Sequence, residues 1–401
     1  MLLRRDGRSA RPSGALSDAD VLIVGAGCAG LSLAWHLVER GLGGRRLLLV
    51  DPRTEYGRDR TWCFWNVVEH PFEDLVTTRW SRWRVRHDGP WVERSADGLR
   101  YEHLPSDAFY DRALARLRAE PGVELRLGTS AGEIVEHADG VRVETSGGTL
   151  RAPIAFDSRP PPRRAASRPG RDVAFLQHFE GWQIEADRDA FDPTVATLMD
   201  FAVPQEHGVH FFYVLPYGPR RALVEATWFG TEVPGDDVYE TALVRYIRES
   251  LGVNEWRITD REAGVIPMSA EPMPIRLSER VYRIGLGGGM AKPSTGYAFQ
   301  AIQTFSEGMA ARLDHDTLPE PPTPRTPFQL FQDRVFLSYL SRHTRRMPAT
   351  LVGLFEQVEP KLLARFLSDR SSPTNALEVM AAMPIRAMTA ETLRSYRLWL
   401  R

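Results

Sequence analysis

Asp20-Val-Leu-Ile-Val-Gly-Ala-Gly-Cys-Ala-Gly30, followed after a helical stretch by Leu47-Leu-Leu-Val-Asp51, decides the fold of this chain. Val21 to Val24 is a short β-branched and apolar run, the signature of a strand buried on both faces. Gly25, Gly27 and Gly30 follow in G-x-G-x-x-G spacing, Leu31 to Arg40 reads as a helix, and Gly41, Gly43 and Gly44 end it. Leu47 to Val50 is a second buried strand closed by Asp51. In such a unit the first glycine makes the tight turn, the second lets backbone approach a pyrophosphate, and the third lets helix and strand pack closely. The helix N-terminus presents free N–H groups to phosphate. The acid at the end of the second strand can accept hydrogen bonds from a ribose. Gly25, Ala26, Gly27, Gly30 and Asp51 are therefore the first candidate cofactor residues. The motif's position near the start of the chain suits FAD as a resident cofactor better than NAD.

Working outward, 401 residues leave room for two or three domains or subdomains, and 43% hydrophobic residues are ample for a core. A net charge of −1 creates no bulk field to draw nucleic acid. The two cysteines, Cys28 and Cys63, make no disulfide framework, so a reducing, cytoplasmic setting is expected. Residues 21–38 lack Asp, Glu, Lys and Arg, but the motif glycines and His36 mark them as strand, turn and helix rather than a membrane span. Residues 1–19, with Arg4, Arg5, Arg8 and Arg11 among Gly, Ser and Pro, have no apolar run to make a secretory signal and are expected to be a disordered extension.

Asp59 and Arg60 precede Trp62, Phe64 and Trp65; they form either an ion-paired loop or a polar hook for the cofactor beside an aromatic wall. Five of the ten tryptophans fall within residues 62–91. A helix is expected over 106–118, then short strands at 123–127, 132–137, 141–145 and 153–157, and a loop over the Pro- and Arg-rich residues 159–170. Residues 173–230 are strand-rich, with Pro216-Tyr-Gly-Pro219 as a hairpin connection. In its second strand Ala222, Val224, Ala226 and Trp228 face one way, and Leu223, Glu225, Thr227 and Phe229 the other. Both faces are mainly apolar, so Glu225 is at least partly buried and needs a partner or a raised pKa. It is a structural hydrogen-bonding residue or a functional acid. A strand, the loop Gly285-Leu-Gly-Gly-Gly289 and a helix from about Ala298 form a second visit to the cofactor, with Gly287, Gly288, Gly289 and Lys292 as its candidate contacts. From about Phe328 the chain is helical. Arg342, His343, Arg345 and Arg346 lie between apolar stripes, as a solvated face or as the basic rim of a surface that rests on an anionic bilayer.

Read together, several short segments resemble the bacterial lycopene cyclases, flavoproteins of carotenoid synthesis. They are Gly25 to Gly30, Arg58-Asp-Arg-Thr-Trp-Cys-Phe-Trp65, Asp157-Ser-Arg-Pro160, Phe179-Glu-Gly-Trp-Gln-Ile-Glu185 and Met199-Asp-Phe201. Further on come Tyr213-Val-Leu-Pro216, Leu223-Val-Glu-Ala-Thr227, Gly264-Val-Ile-Pro-Met268 and Lys292-Pro-Ser-Thr-Gly-Tyr297. The late glycine loop lacks the Gly-Asp of flavin hydroxylases, as it does in the cyclases. The resemblance implies an α/β fold: a two-part FAD-binding domain of the glutathione-reductase (Rossmann) type, an inserted β-rich substrate domain and a C-terminal helical segment. The expected boundaries are 20–170, 171–265, 266–315 and 316–401. It also implies an isomerisation in which a linear carotene such as lycopene is protonated at its terminal double bond and closes to a β-ring. Reduced FAD takes part without net redox change, with NAD(P)H as its reductant. By that resemblance Glu225 is the proton donor or the anion facing the cation, and Asp200 is a second carboxyl that tunes it or relays protons. No metal is implied. The substrate dissolves in lipid, so peripheral contact with the inner face of the cell membrane is expected. The rival readings are a flavin-dependent monooxygenase or reductase acting on a polyprenoid, and a carotenoid carrier with a vestigial cofactor loop.

Overall fold

The computed structural model describes residues 17–160, 175–313 and 318–399. The expected extension over 1–19 and the loop over 159–170 fall largely outside these residues.

The strands expected at each end of the glycine motif, Val21–Val24 and Leu47–Asp51, lie side by side in a five-stranded sheet. From edge to edge its order is Val281–Arg283, Ala155–Asp157, Val21–Val24, Leu47–Asp51 and Val123–Leu127, and every pairing is parallel. Uninterrupted burial of the two central strands explains why their sequences are unbroken apolar runs rather than alternating ones. The helices Cys28–Glu39, Ser106–Arg118 and Phe299–Arg312 share one core with one face of the sheet. The other face is covered by a three-stranded antiparallel sheet of Ala131–His137, Gly140–Thr145 and Gly148–Ala152. The chain enters this layer twice, at residues 20–157 and again at 281–312, which is the two-part Rossmann-type organisation expected from sequence.

The second body is a seven-stranded sheet. Its order is Trp256–Met268, Phe175–Ala186, Arg221–Gly230, Val209–Pro216, Val195–Asp200, Arg82–Arg86 and Val92–Ser95. The last two strands come from the stretch that sequence reasoning assigned to the first cofactor segment, and Trp256–Met268 runs past residue 265. The substrate sheet is therefore wider than 171–265. This explains the dense tryptophans of residues 62–91: Trp65, Trp80 and Trp83 are buried where that excursion joins the sheet.

The sheet's two faces have different covers. Ala222, Val224, Ala226 and Trp228 pack with Tyr239, Leu243 and Tyr246 of the segment 236–250. Leu223 and Phe229, on the other face, share a core with helices of the C-terminal segment, Pro327–Arg342, Met347–Gln357, Pro360–Leu367 and Pro373–Ala381.

Four buried charges tie this helical cap to the late glycine loop. The Lys292 ammonium sits 3.3 Å from Asp333 Oδ1 and also bonds Asp369. Arg325 Nε donates to Asp369 Oδ2 at 2.7 Å, and Arg325 Nη2 donates to the Met290 carbonyl at 3.0 Å. Two cations face two carboxylates, so the cluster is balanced. Removing one member of such a set leaves a buried charge without compensation. Lys292→Met should therefore lower unfolding stability in urea by roughly 3–5 kcal/mol. A variant as stable as the parent would show that the cluster does not hold the cap.

Candidate active site

The glycine motif builds one end of a cavity of ≈ 740 Å³. Gly25 has φ 96°, in the left-handed region that favours glycine. A Cβ on Gly30 would lie 1.9 Å from the Gly25 carbonyl oxygen, so Gly30 is required for the helix to sit against the turn. The helix Cys28–Glu39 has no side-chain cap and no acid in its first turn, and Gly27, Cys28 and Ala29 line the cavity. Its N-terminus is thus open to an anion. Asp51 is 4% exposed; its Oδ2 accepts from the Ala26 N–H at 2.6 Å, and its Oδ1 accepts from the Arg53 N–H at 2.8 Å and Nε at 3.0 Å. Ala26 therefore orients the acid and does not itself line the cavity, and Arg53 joins the site unforeseen. Arg60 lines the cavity at the surface and donates to the Asp59 carbonyl. Ser158 Oγ, bonded to the Val24 and Gly25 carbonyls at 3.0 and 2.8 Å, closes the turn from the neighbouring strand.

The late loop contributes differently from expectation. Gly285, Leu286 and residues 294–298 line the cavity, whereas Gly287, Gly288, Gly289 and Lys292 do not. A Cβ at Gly287 would lie 2.9 Å from Arg283 Cδ, and one at Gly288 2.5 Å from the Arg283 carbonyl oxygen; Gly289 has φ 72° against Met273. These glycines are needed to fold the loop on itself, and Lys292 is spent on the buried ion cluster. A turn without side chains, an open helix N-terminus and an acid–arginine pair make an elongated cradle that fits a dinucleotide.

Beyond the cradle the cavity runs along the sheet face, where Glu225 lies. Glu225 pairs in register with Tyr213 on one side and Gly181 on the other, and Gly181 pairs in turn with Glu262. The two glutamates thus flank a residue with no side chain. A Cβ at Gly181 would lie 3.4 Å from Glu225 Cβ and 3.3 Å from Glu262 Cγ. Both carboxyls line the cavity, and what exposure Glu225 keeps is to that cavity. Burial, then the charge of Glu262, push Glu225 well above the usual carboxyl range; a bond from the Thr227 hydroxyl to Oε1, at 2.7 Å, pulls it back only in part. Burial raises Glu262 as well, opposed by Thr61 and Arg60. Two carboxyls in one dry pocket cannot both ionise cheaply, so the pair holds a proton near neutrality.

The remaining wall is aromatic and aliphatic. Tyr213 Oη donates to Tyr101 Oη at 2.6 Å, and Tyr101 Oη lies 3.3 Å from Tyr297 Oη, so these hydroxyls satisfy one another and leave ring surface to the cavity. Farther along, Phe336, Leu354, Phe355, Phe366, Met380, Met383 and Met388 line it. An apolar channel that begins at a dinucleotide cradle and passes a protonated acid suits proton delivery to a long hydrocarbon.

Asp200 does not belong to this site. Leu198 and Met199 both line the cavity, because the register shifts between Thr197 and Asp200, and that shift turns Asp200 to the opposite face. There it is fully buried and satisfied: Arg86 donates at 3.0 and 2.6 Å, Tyr246 Oη at 2.7 Å and the Ala202 N–H at 3.1 Å. Glu262 takes the place expected of Asp200. Its segment, Glu262-Ala-Gly-Val-Ile-Pro-Met268, is visible in the sequence, but its neighbour is set by strand order.

A family model described as lycopene cyclase protein matches residues 20–393. A lycopene beta-cyclase of Paracoccus sp. is 25% identical, covering 91% of this chain and 94% of its own. One of Pseudescherichia vulneris is 26% identical over 73% of each chain. Among solved structures, the flavin-dependent monooxygenase PieE, in complex with FAD and substrate, aligns with TM-score 0.59 at 18% identity, covering 95% of this chain and 72% of that one. A geranylgeranyl bacteriochlorophyll reductase-like protein of Thermoplasma acidophilum aligns with TM-score 0.59 at 13% identity, covering 93% and 98%. At these identities the structural likeness concerns the fold, that of FAD-dependent enzymes.

The buried acid has a stability signature. Below its ordinary value near 4.5, Glu225 is protonated in both folded and unfolded chains. Above it the unfolded chain releases the proton and the folded one keeps it, so stability falls as pH rises until the folded group titrates too. Glu225→Gln removes this dependence. Its melting temperature should exceed that of the parent by more at pH 8 than at pH 5, followed by circular dichroism. An equal difference at both pH values would show that Glu225 is not held protonated.

Proposed function

This chain belongs to the lycopene cyclase family, and we propose that it closes the linear ends of lycopene to β-rings by a proton-initiated isomerisation. The observation that carries this reading is Glu225: a carboxyl kept protonated by burial and by a neighbouring carboxyl, on the wall of an apolar channel continuous with a dinucleotide cradle. A hydrocarbon offers nothing to hydrogen-bond, so its recognition has to come from shape and apolar contact.

Glu225 delivers its proton to C2 of the terminal C1=C2 bond, leaving a cation at C1. The C5=C6 π pair closes the C1–C6 bond, and loss of the C6 proton gives the β-ring. A positioned general acid contributes roughly 10²–10⁴-fold. The ring faces of Tyr213, Tyr101 and Tyr297 present negative π surface to the cation. The channel excludes water that would otherwise capture it. Gly25, Gly27, the N-terminus of Cys28–Glu39, Asp51, Arg53 and the loop residues 285–286 and 294–298 would hold FAD. In its reduced form, maintained by NAD(P)H, that cofactor supplies negative charge against the cation with no net electron transfer.

The substrate resides in lipid, and among the described residues no helix is long and apolar enough to cross a membrane. The contact we propose is peripheral, at the cytoplasmic face. Leu377, Ile385, Leu393 and Tyr396 are 56%, 66%, 60% and 49% exposed on the helices Pro373–Ala381 and Ile385–Trp399. Met380 and Met388 of these helices, and Met383 between them, line the channel. Arg345 and Arg346 are exposed, and Arg342, half-exposed, lies 3.4 Å from Glu391. Apolar groups with a basic rim suit an anionic bilayer.

Three experiments test this. Turnover of lycopene in heavy water with unlabelled NAD(P)H should place deuterium at ring C2 and leave product mass otherwise unchanged. A polyprenoid reductase would instead add two hydrogens, and a monooxygenase an oxygen. Glu225→Gln should retain flavin and lose at least roughly 10²-fold in turnover; near-parental turnover would remove Glu225 from the mechanism. For the membrane, binding to phosphatidylglycerol-containing liposomes should weaken with salt and on neutralising Arg342, Arg345 and Arg346, since exposed charge is screened beyond about 10 Å at 0.1 M salt. Binding indifferent to both would make the basic rim irrelevant.

A further inference from the structure

Ring closure needs a base as well as an acid. In the closed ring C2 and C6 are both bonded to C1, so the group that protonates C2 and the group that deprotonates C6 must reach almost the same point. Five carboxyl residues line the channel and its cradle: Asp51, Asp59, Glu225, Glu262 and Asp333. Asp51 and Asp59 are paired with Arg53 in the cradle, and Asp333 with Lys292 in the ion cluster. Glu225 and Glu262 remain, and they lean over the same side-chain-free residue, Gly181.

Resting on the cyclase reading above, we propose that Glu262 is the second catalytic carboxyl, the base that takes the C6 proton after Glu225 has protonated C2. The step balances without an oxidant or reductant. The Glu225 O–H bond breaks as C2–H forms, and the C5=C6 π pair makes the C1–C6 bond. The C6–H bond then breaks toward a Glu262 oxygen, its electron pair restoring C5=C6. The cycle ends with the proton on the neighbouring carboxyl, and exchange with water once the product has left recharges Glu225 and frees Glu262.

The surroundings of the two glutamates differ in the direction this division requires. Glu225 sees the Thr227 hydroxyl and the ring of Tyr213. Glu262 faces Arg60 and Thr61 from the segment that precedes the aromatic wall, Tyr217, Asp260 on its own strand, and Glu225 across Gly181. The Thr61 and Tyr217 hydroxyls are buried beside Glu262. The Arg60 guanidinium favours the ionised form of Glu262, and the ionised form of Glu262 favours the protonated form of Glu225.

The test is the identity of the ring. Holoenzyme is incubated with lycopene in phospholipid vesicles under reducing conditions, and products are separated by chromatography and assigned by NMR. If Glu262 is the base, Glu262→Gln keeps its flavin, slows by roughly 10²-fold, and forms rings whose double bond is displaced toward C4 or the C5 methyl group. The C5 cation then surrenders whichever proton another acceptor reaches. Loss of rate with β-rings alone overturns the proposal, because a residue that only tunes Glu225 leaves proton removal untouched. If the variant forms no ring, Glu262→Ala with added formate decides. β-Rings restored by the small carboxylate support the base, and no restoration overturns it. A parent enzyme that forms no rings would instead refute the cyclase reading itself.

Discussion

A carboxyl taken out of water must find a cation or keep its proton, and the interior of this protein does both in different places. At Asp200 burial is answered with Arg86 and the Tyr246 hydroxyl, and the result is an inert pin between the sheet and the segment beyond it. At Glu225 burial meets another carboxyl, and the group is pushed well above the usual carboxyl range. The rest of the second body maintains that difference. The sheet face supplies the register, the C-terminal helices exclude water, and the far face is sealed by an independent core. The raised acid is thus a desolvation effect created by tertiary packing, and no single segment carries it.

What could be read from the linear chain follows from where its physics is local. The glycine motif, its two strands and its acid are contiguous, each residue serving a backbone need that no neighbour alters, and they stand where expected. The alternation through Arg221–Gly230 assigned both faces correctly, because an unbulged strand keeps its period of two. The same rule misled at Asp200. Two positions beyond the inward Leu198, it should point inward, but the register shift beside it places Met199 in the cavity as well and reverses the parity. Glu262 is not marked by its own segment, since its partner lies two strands away through Gly181. Lys292 and the glycines 287–289 were legible as an important loop but not as a structural one. Their partners, Asp333, Asp369 and Arg283, come from elsewhere in the fold.

The width of the substrate sheet makes the same point. Arg82–Arg86 joins Val195–Asp200 in the sheet's one parallel pairing, across more than a hundred residues of sequence. Tryptophan density in residues 62–91 announced a large buried surface without saying against what. The structure answers that this excursion carries two strands out of the cofactor layer, so the two bodies are sewn together at their base. A ligand lying across both meets one continuous wall.

The acid and its partner are built once, at one position along a channel whose apolar lining continues away from them. On the cyclase reading proposed above, a symmetrical linear substrate with two reactive termini cannot present both there together. Finishing one end leaves the other in the channel or in the lipid, and the second closure demands withdrawal, an end-for-end turn and a fresh approach. Half-finished product is therefore a free species that competes with new substrate for the same channel. The ratio of one-ringed to two-ringed material becomes a matter of relative supply and residence time rather than of a second active centre.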